Sequence, residues 1–147
     1  MKRGQIKKIE SHLFTLKHYR VAIRNLEKQL HYIMPNITAD YSIESGGGGV
    51  FTVGSTTERA AIDRIESRRA LNIYEEIEKY RLLIDCIETS LGTLSDQEKR
   101  FIDLRYTKER PVIQVSQEMD YSVPHIYRLR DQVLEKLALS LAAVVDL

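Results

Sequence analysis

The feature that most restricts the fold is a run of apolar residues, Ala70, Ile73, Ile77, Tyr80, Ile84, Ile87, Leu91 and Leu94. Its spacing alternates between three and four without a miss. That rhythm draws one narrow stripe along a helix, as in a coiled-coil seam. Leu71, Tyr74, Leu82 and Leu83 widen the stripe. Upstream, Ser55-Thr-Thr-Glu58 is a capping-box pattern, in which serine and glutamate satisfy each other's free backbone N–H groups. The helix is therefore predicted to begin there, and a span from Thr56 to Ser90 is about 50 Å long. A helix of that length with one apolar stripe needs a partner.

The chain supplies one candidate itself. Ile6, Ile9, Leu13, Leu16, Tyr19, Ile23, Leu26, Leu30 and Ile33 recur at helical spacing, and no proline precedes Pro35. This predicts a first long helix that folds back antiparallel on the second. Between them lies PNITADYSIESGGGGVFTVG, a Gly-rich stretch at 35–54. The glycines do not make a phosphate loop, because no Gly-Lys-Ser/Thr follows and Val50-Phe51 come next. They read as a flexible tether, with Tyr41–Ile43 and Val50–Val53 having β-type composition suited to a small hairpin. The extra apolar width of the second helix predicts pairing with a second copy through Ile73, Ile77, Tyr80, Ile84, Ile87 and Leu91.

Gly92 interrupts the second helix, and Ser95-Asp-Gln-Glu98 is another capping box. Phe101, Ile102, Leu104 and Tyr106 then mark the first helix of a C-terminal domain. Pro111–Met119 reads as a short helix with proline in its first turn, where a missing N–H costs least. Asp120-Tyr121-Ser122 is a tight break: Asp tolerates the left-handed conformation, and Ser122 is a good N-cap. The helix that follows carries Ile126, Leu129, Val133 and Leu137 on one face and is predicted to run on through Leu139, Leu141 and Val144. A short helix, a tight turn and a second helix make a helix-turn-helix. Val115, Ser116, Met119, Tyr121, Ile126 and Leu129 are expected on its inner side. Val123, Pro124, His125, Tyr127, Arg128 and Asp131 are then left facing outward, where they could meet base edges in a major groove. Lys99, Arg105, Lys108, Arg110, Ser122 and Arg130 are the expected contacts to the DNA backbone.

From Leu94 onward, the phrase LSDQEKRFIDLRY and the helix-turn-helix after it resemble region four of bacterial sigma factors. Over its whole length the chain is similar to the ArpU/RinA-type regulators of phage late genes. That similarity rests on an N-terminal helix, the Ser45-GGGG-Val50 loop, a second long helix and the sigma-like C-terminal end. The resemblance implies a sequence-specific DNA-binding regulator of phage or prophage late genes, in the sense of an activator. In sigma region four, the residues after the cap read the promoter, and here these are the outward positions named above. It also implies double-stranded DNA, a second copy of the chain and host RNA polymerase as partners.

The expected architecture is all-α. A long N-terminal helical hairpin (1–92) precedes a three-helix, sigma-region-four-like helix-turn-helix domain (93–147). Two other readings remain open at this point. One is a phage DNA-packaging protein akin to small terminase subunits, in which the coiled coil builds a ring. The other is an adaptor that binds polymerase or a sigma factor without a DNA site of its own.

Charge decides how such a reader could hold DNA. The formal net charge is only +1, yet residues 1–30 carry eight basic side chains against two acidic ones. Lys17, Arg20, Arg24 and Lys28 form a ridge there. Residues 95–147 carry eight basic against nine acidic. Phosphate attraction supplies most non-specific affinity. A near-neutral reader needs a second copy, or the basic first helix, to bind well. Enzyme chemistry is not expected, since His12, His18, His31 and His125 are scattered and no triad, metal set or phosphate loop can be assembled. No cofactor is expected either. The single cysteine, Cys86, sits beside the stripe and reads as a packed thiol suited to a reducing cytoplasm. No run of 18 apolar residues exists to span a membrane.

Overall fold

The computed structural model describes residues 3–33 and 56–143. The Gly-rich tether at 35–54 with its small hairpin, the Ser55 cap and Val144 lie outside the described residues. Every regular element among the described residues is helical. Two long helices come first, α1 (Arg3–Ile33) and α2 (Thr56–Leu91). Three shorter ones follow, α3 (Asp96–Ile102), α4 (Val112–Met119) and α5 (Val123–Leu141).

The described residues fall into two compact units. One comprises Met1–Arg20 with Arg81–Leu147, the other Val21–Tyr80. This differs from the boundary expected at residue 92. The reason is a shared core: Ile9 and Leu13 of α1 and Ile87 of α2 are buried in one cluster with Phe101, Tyr106, Val115, Val133 and Leu137. The start of α1 and the end of α2 thus belong to the C-terminal unit. Arg20 of α1 also donates to Glu88 of α2 there.

The seam on α2 is corrected too. Ile73 (8% exposed), Ile77 (2%), Ile84 (9%) and Ile87 (0%) are already covered within one chain, and Tyr80 and Leu91 are half-buried. Four of the six positions expected to meet a second copy are therefore buried by the chain's own packing. In the Val21–Tyr80 unit the buried positions of α2 are Ala70, Ile73 and Ile77. Those of α1 with matching spacing, Ile23, Leu26 and Leu30, are half-buried.

Gly92 ends α2 as expected, its N–H bonding back to the Glu88 carbonyl at 3.0 Å. Ser95 then caps α3 with the full capping box. Its side chain accepts from the Glu98 N–H (3.3 Å), and Glu98 Oε1 accepts from the Ser95 N–H (3.1 Å). The same Glu98 oxygen accepts from Lys136 Nζ on α5 at 2.7 Å, so a local cap is also a tie between helices.

The helix expected to carry Phe101 through Tyr106 does not stay α-helical. After Ile102 it widens into one π turn, Asp103–Thr107, closed by Lys108 N–H to Asp103 O at 2.9 Å. A five-residue closure shifts the register of the side chains that follow it. Phe101 and Ile102 before the turn and Leu104 and Tyr106 within it are all buried. The chain then turns through Glu109 at a positive φ of 53°. At the far end, α5 stops at Leu141, with Leu139 85% exposed and Leu141 buried. Among the described residues, no helix is long and apolar enough to cross a membrane.

Candidate nucleic-acid interface

The turn between α4 and α5 is built by local chemistry. Pro111 caps α4 in extended geometry (φ −62°, ψ 152°), one residue ahead of the helical position expected for it. Asp120 closes the helix in the left-handed region (φ 56°, ψ 39°), and the Tyr121 N–H returns to Ser116 O at 3.0 Å. Ser122 then opens α5, its Oγ accepting from the His125 N–H at 3.3 Å. Pro124 follows inside the first turn, where its missing N–H has no helical partner to lose. Val115, Ser116 and Met119 of α4 are buried, as are Ile126 and Leu129 of α5.

That register sets the outer face. Pro124, Tyr127, Arg128 and Asp131 are exposed, Tyr127 by 46%. Val123 and His125 are half-buried. The His125 ring lies over Tyr121, with centroids 4.5 Å apart. Tyr121, expected on the inner side, is instead 37% exposed. Its hydroxyl accepts from Gln97 Nε2 of α3. Gln97, Tyr121, His125, Arg128, Leu129 and Gln132 line a notch of about 380 Å³ on this side. Gln97 and Gln132 were not expected at the interface. A signal for part of it was present: Tyr121, His125, Arg128 and Gln132 run at steps of four, three and four from the turn into α5.

The cations expected on DNA phosphates are arranged less simply. Arg130 is not one of them in this structure. Its Nε donates to Glu10 Oε1 of α1 at 2.9 Å, and only 28% of its side chain is exposed. Tyr106 donates its hydroxyl to the same Glu10 oxygen at 2.9 Å. Burial, reinforced by Glu10, pushes the Tyr106 phenol above its usual pKa range, so it stays a donor. Arg110 pairs with Glu118 of α4. Arg105 donates to the Arg110 carbonyl at 3.2 Å and lies over the Phe14 ring at 5.3 Å, so it packs α1 down. Lys108 reaches Asp103 at 3.5 Å, an exposed pair that can exchange for another anion. Lys99 is exposed. Among the described residues, Lys99 and Arg128 are thus exposed without an ion-pair partner, and Lys108 has only the exposed Asp103. Among the described residues, no group of three or more His, Cys, Asp or Glu could hold a metal ion. Cys86 is a half-buried free thiol packed against the core.

Comparison with known proteins gives one match. Residues 18–139 fit the family described as "Protein of unknown function (DUF722)". The chain belongs to this family. The matched span covers the Val21–Tyr80 unit and the 81–139 part of the other, with the whole turn from Pro111 to Ser122 and nearly all of α5, but not residues 3–17 of α1. No curated protein and no solved structure matches it.

Proposed function

We propose that this DUF722 protein is a sequence-specific DNA-binding transcriptional regulator, of the kind its resemblance to ArpU/RinA-type late-gene activators implies. The α4–turn–α5 unit would be a helix-turn-helix, borne by a helical hairpin of α1 and α2. Helix α5 would enter the major groove with the end that follows Ser122. The observation that carries this reading is the division of α5 into two faces. Ile126, Leu129 and Val133 anchor one side, while Tyr127, Arg128 and Asp131 stand exposed on the other, within the first three turns after the cap.

Chemistry assigns roles within that face. The Arg128 guanidinium can donate two parallel hydrogen bonds to guanine O6 and N7. Asp131, an acceptor, suits a cytosine amino group on the neighbouring pair. Tyr127 offers a ring and a hydroxyl for thymine methyl or phosphate contact. Gln97, Tyr121 and His125 line the notch beside Arg128 and fit the phosphate strand that borders the groove. Few free cations stand nearby, so non-specific affinity should be modest, and discrimination rather than grip should come from α5.

A gel-shift titration on DNA selected from a random pool tests the reading. The intact chain should select a defined site, and Arg128→Ala should weaken that site by about 10-fold or more, consistent with roughly 1–3 kcal/mol for a bidentate base contact. Weakening should be largest at one base position. Failure to enrich any site, or a site indifferent to Arg128→Ala and Asp131→Ala together, would overturn it.

A further inference from the structure

With the inner stripe of α2 covered, the opposite side of that helix becomes the question. Leu71 stands there 58% exposed, and Tyr74, 53% exposed, lies between it and the stripe. Around Leu71 four charges are sorted by sign, while Lys79 beside them is paired with Glu76. Arg64 and Arg68 precede Leu71, and Glu75 and Glu78 follow it, all four exposed. Arg64, Leu71 and Glu78 are seven residues apart and lie along one line of the helix surface, while Arg68 and Glu75, also seven apart, lie along the line beside it. Arg64, Arg68 and Glu75 have no ion-pair partner in their own chain among the described residues.

This patch is complementary to its own reverse. Laid antiparallel on a second copy about a two-fold axis at Leu71, each position before Leu71 meets the equal position after it. Arg64 then faces the partner's Glu78, and Arg68 reaches the partner's Glu75. Leu71 meets the partner's Leu71 on the axis. A two-fold operation keeps each flank on its own side, so the Arg68–Glu75 flank meets its own equivalent. A parallel pairing would set arginine against arginine and glutamate against glutamate. We infer that two copies of this chain pair antiparallel through the Arg64–Glu78 face of α2, with Leu71 at the two-fold axis. The face is about 21 Å long. Pairing here leaves the inner stripe untouched, and it would put two reading helices on one particle, which raises affinity without more cations. The inference stands apart from the DNA-reading proposal, because its test involves no DNA.

Light scattering on the full chain should show a concentration-dependent dimer. Reversing one half of the patch, Arg64→Glu with Arg68→Glu, should raise the dissociation constant by at least about 10-fold, since like charges then face each other. Reversing the other half, Glu75→Arg with Glu78→Arg, should do the same. The fourfold reversal should restore the homodimer, and mixing the two double variants should give a heterodimer. Register is read by disulfide trapping in a Cys86→Ser background. Leu71→Cys should cross-link two chains under mild oxidation, and Asn72→Cys, 100° around the helix, should not. Helical content by circular dichroism guards against a folding defect in any variant. A monomer at all concentrations would overturn the proposal. So would a dimer indifferent to both reversals, a ring of eight or more copies, or equal cross-linking at both positions.

Discussion

Glu10 accepts from Tyr106 and Arg130 at a single carboxylate oxygen, and this one side chain fastens α1 to residues 96 and 120 positions away. Burial of Tyr106 to 1% exposure makes its hydroxyl dependent on that partner. Tyr106→Phe should therefore cost about 1.5–3 kcal/mol, the range for a hydrogen bond to a charged group, read as a lower urea midpoint with the same slope. Glu98 and His12 make stability depend on pH in two separate windows. Burial alone would raise the Glu98 pKa, but hydrogen bonds from Lys136 and Ser95 outweigh it and hold the group below the ordinary 4.5. Its folded pKa is depressed, so its contribution is full above 4.5 and is lost as pH falls through the folded value. His12 is held below the ordinary 6.5 by burial and by neighbouring Lys8, with Tyr19 OH 2.8 Å from its Nδ1. The fold thus favours neutral imidazole, and stability should begin to fall as pH drops below 6.5. Urea titrations across pH should show both losses. His12→Gln should flatten the upper one and Glu98→Gln the lower. A wild-type profile flat from pH 7 to 4.5 would contradict the His12 assignment, and Glu98→Gln with no effect on the loss below pH 4.5 would contradict the other.

At the scale of the element, the turn between α4 and α5 is the test case. Asp120 holds φ 56° with no glycine at the site. Asp120→Val should cost about 1–2 kcal/mol, because a β-branched side chain crowds the left-handed conformation, and Asp120→Gly should be tolerated. Thermal melts of the two variants would separate this from a mere loss of charge, since both remove the carboxylate. This turn was legible in the sequence because its causes are local: a residue tolerant of positive φ, a serine cap and an apolar register set by spacing. The Ser95 capping box was legible for the same reason. The π turn at Asp103–Thr107 was not, since Phe101, Ile102, Leu104 and Tyr106 also fit an ordinary apolar helix. Pairing of Arg130 with Glu10 was hidden as well. Nothing about an exposed-looking arginine on α5 says that a glutamate from α1 will take it. The intrachain burial of Ile73, Ile77, Ile84 and Ile87 was hidden for the same reason, because periodicity shows that a face is covered but not by whom.

At the scale of the molecule, the C-terminal unit does not begin where its sequence motif begins. Its core takes Ile9 and Leu13 from α1 and Ile87 from α2, and all three are 6% exposed or less. Remove the start of α1 and the buried Tyr106 also loses Phe14, 4.8 Å away edge-on, together with the Glu10 that receives its hydroxyl. A stretch of about 55 residues is already near the lower limit for a single hydrophobic core. Stripping apolar partners worth about 1.5–3 kcal/mol each should take it below that limit. Residues 93–147 alone should therefore lack a cooperative thermal transition and bind a hydrophobic dye, although they contain every residue assigned to base reading. Ile87→Ala in the full chain offers a gentler form of the same test. It should lower stability by about 2–5 kcal/mol and weaken site-specific DNA binding in step with the fraction folded, while leaving dimerisation through Leu71 intact at temperatures where the chain is folded. Should 93–147 instead melt cooperatively at the midpoint of the intact chain, the long helices would be carriers of the reading unit and no part of its core.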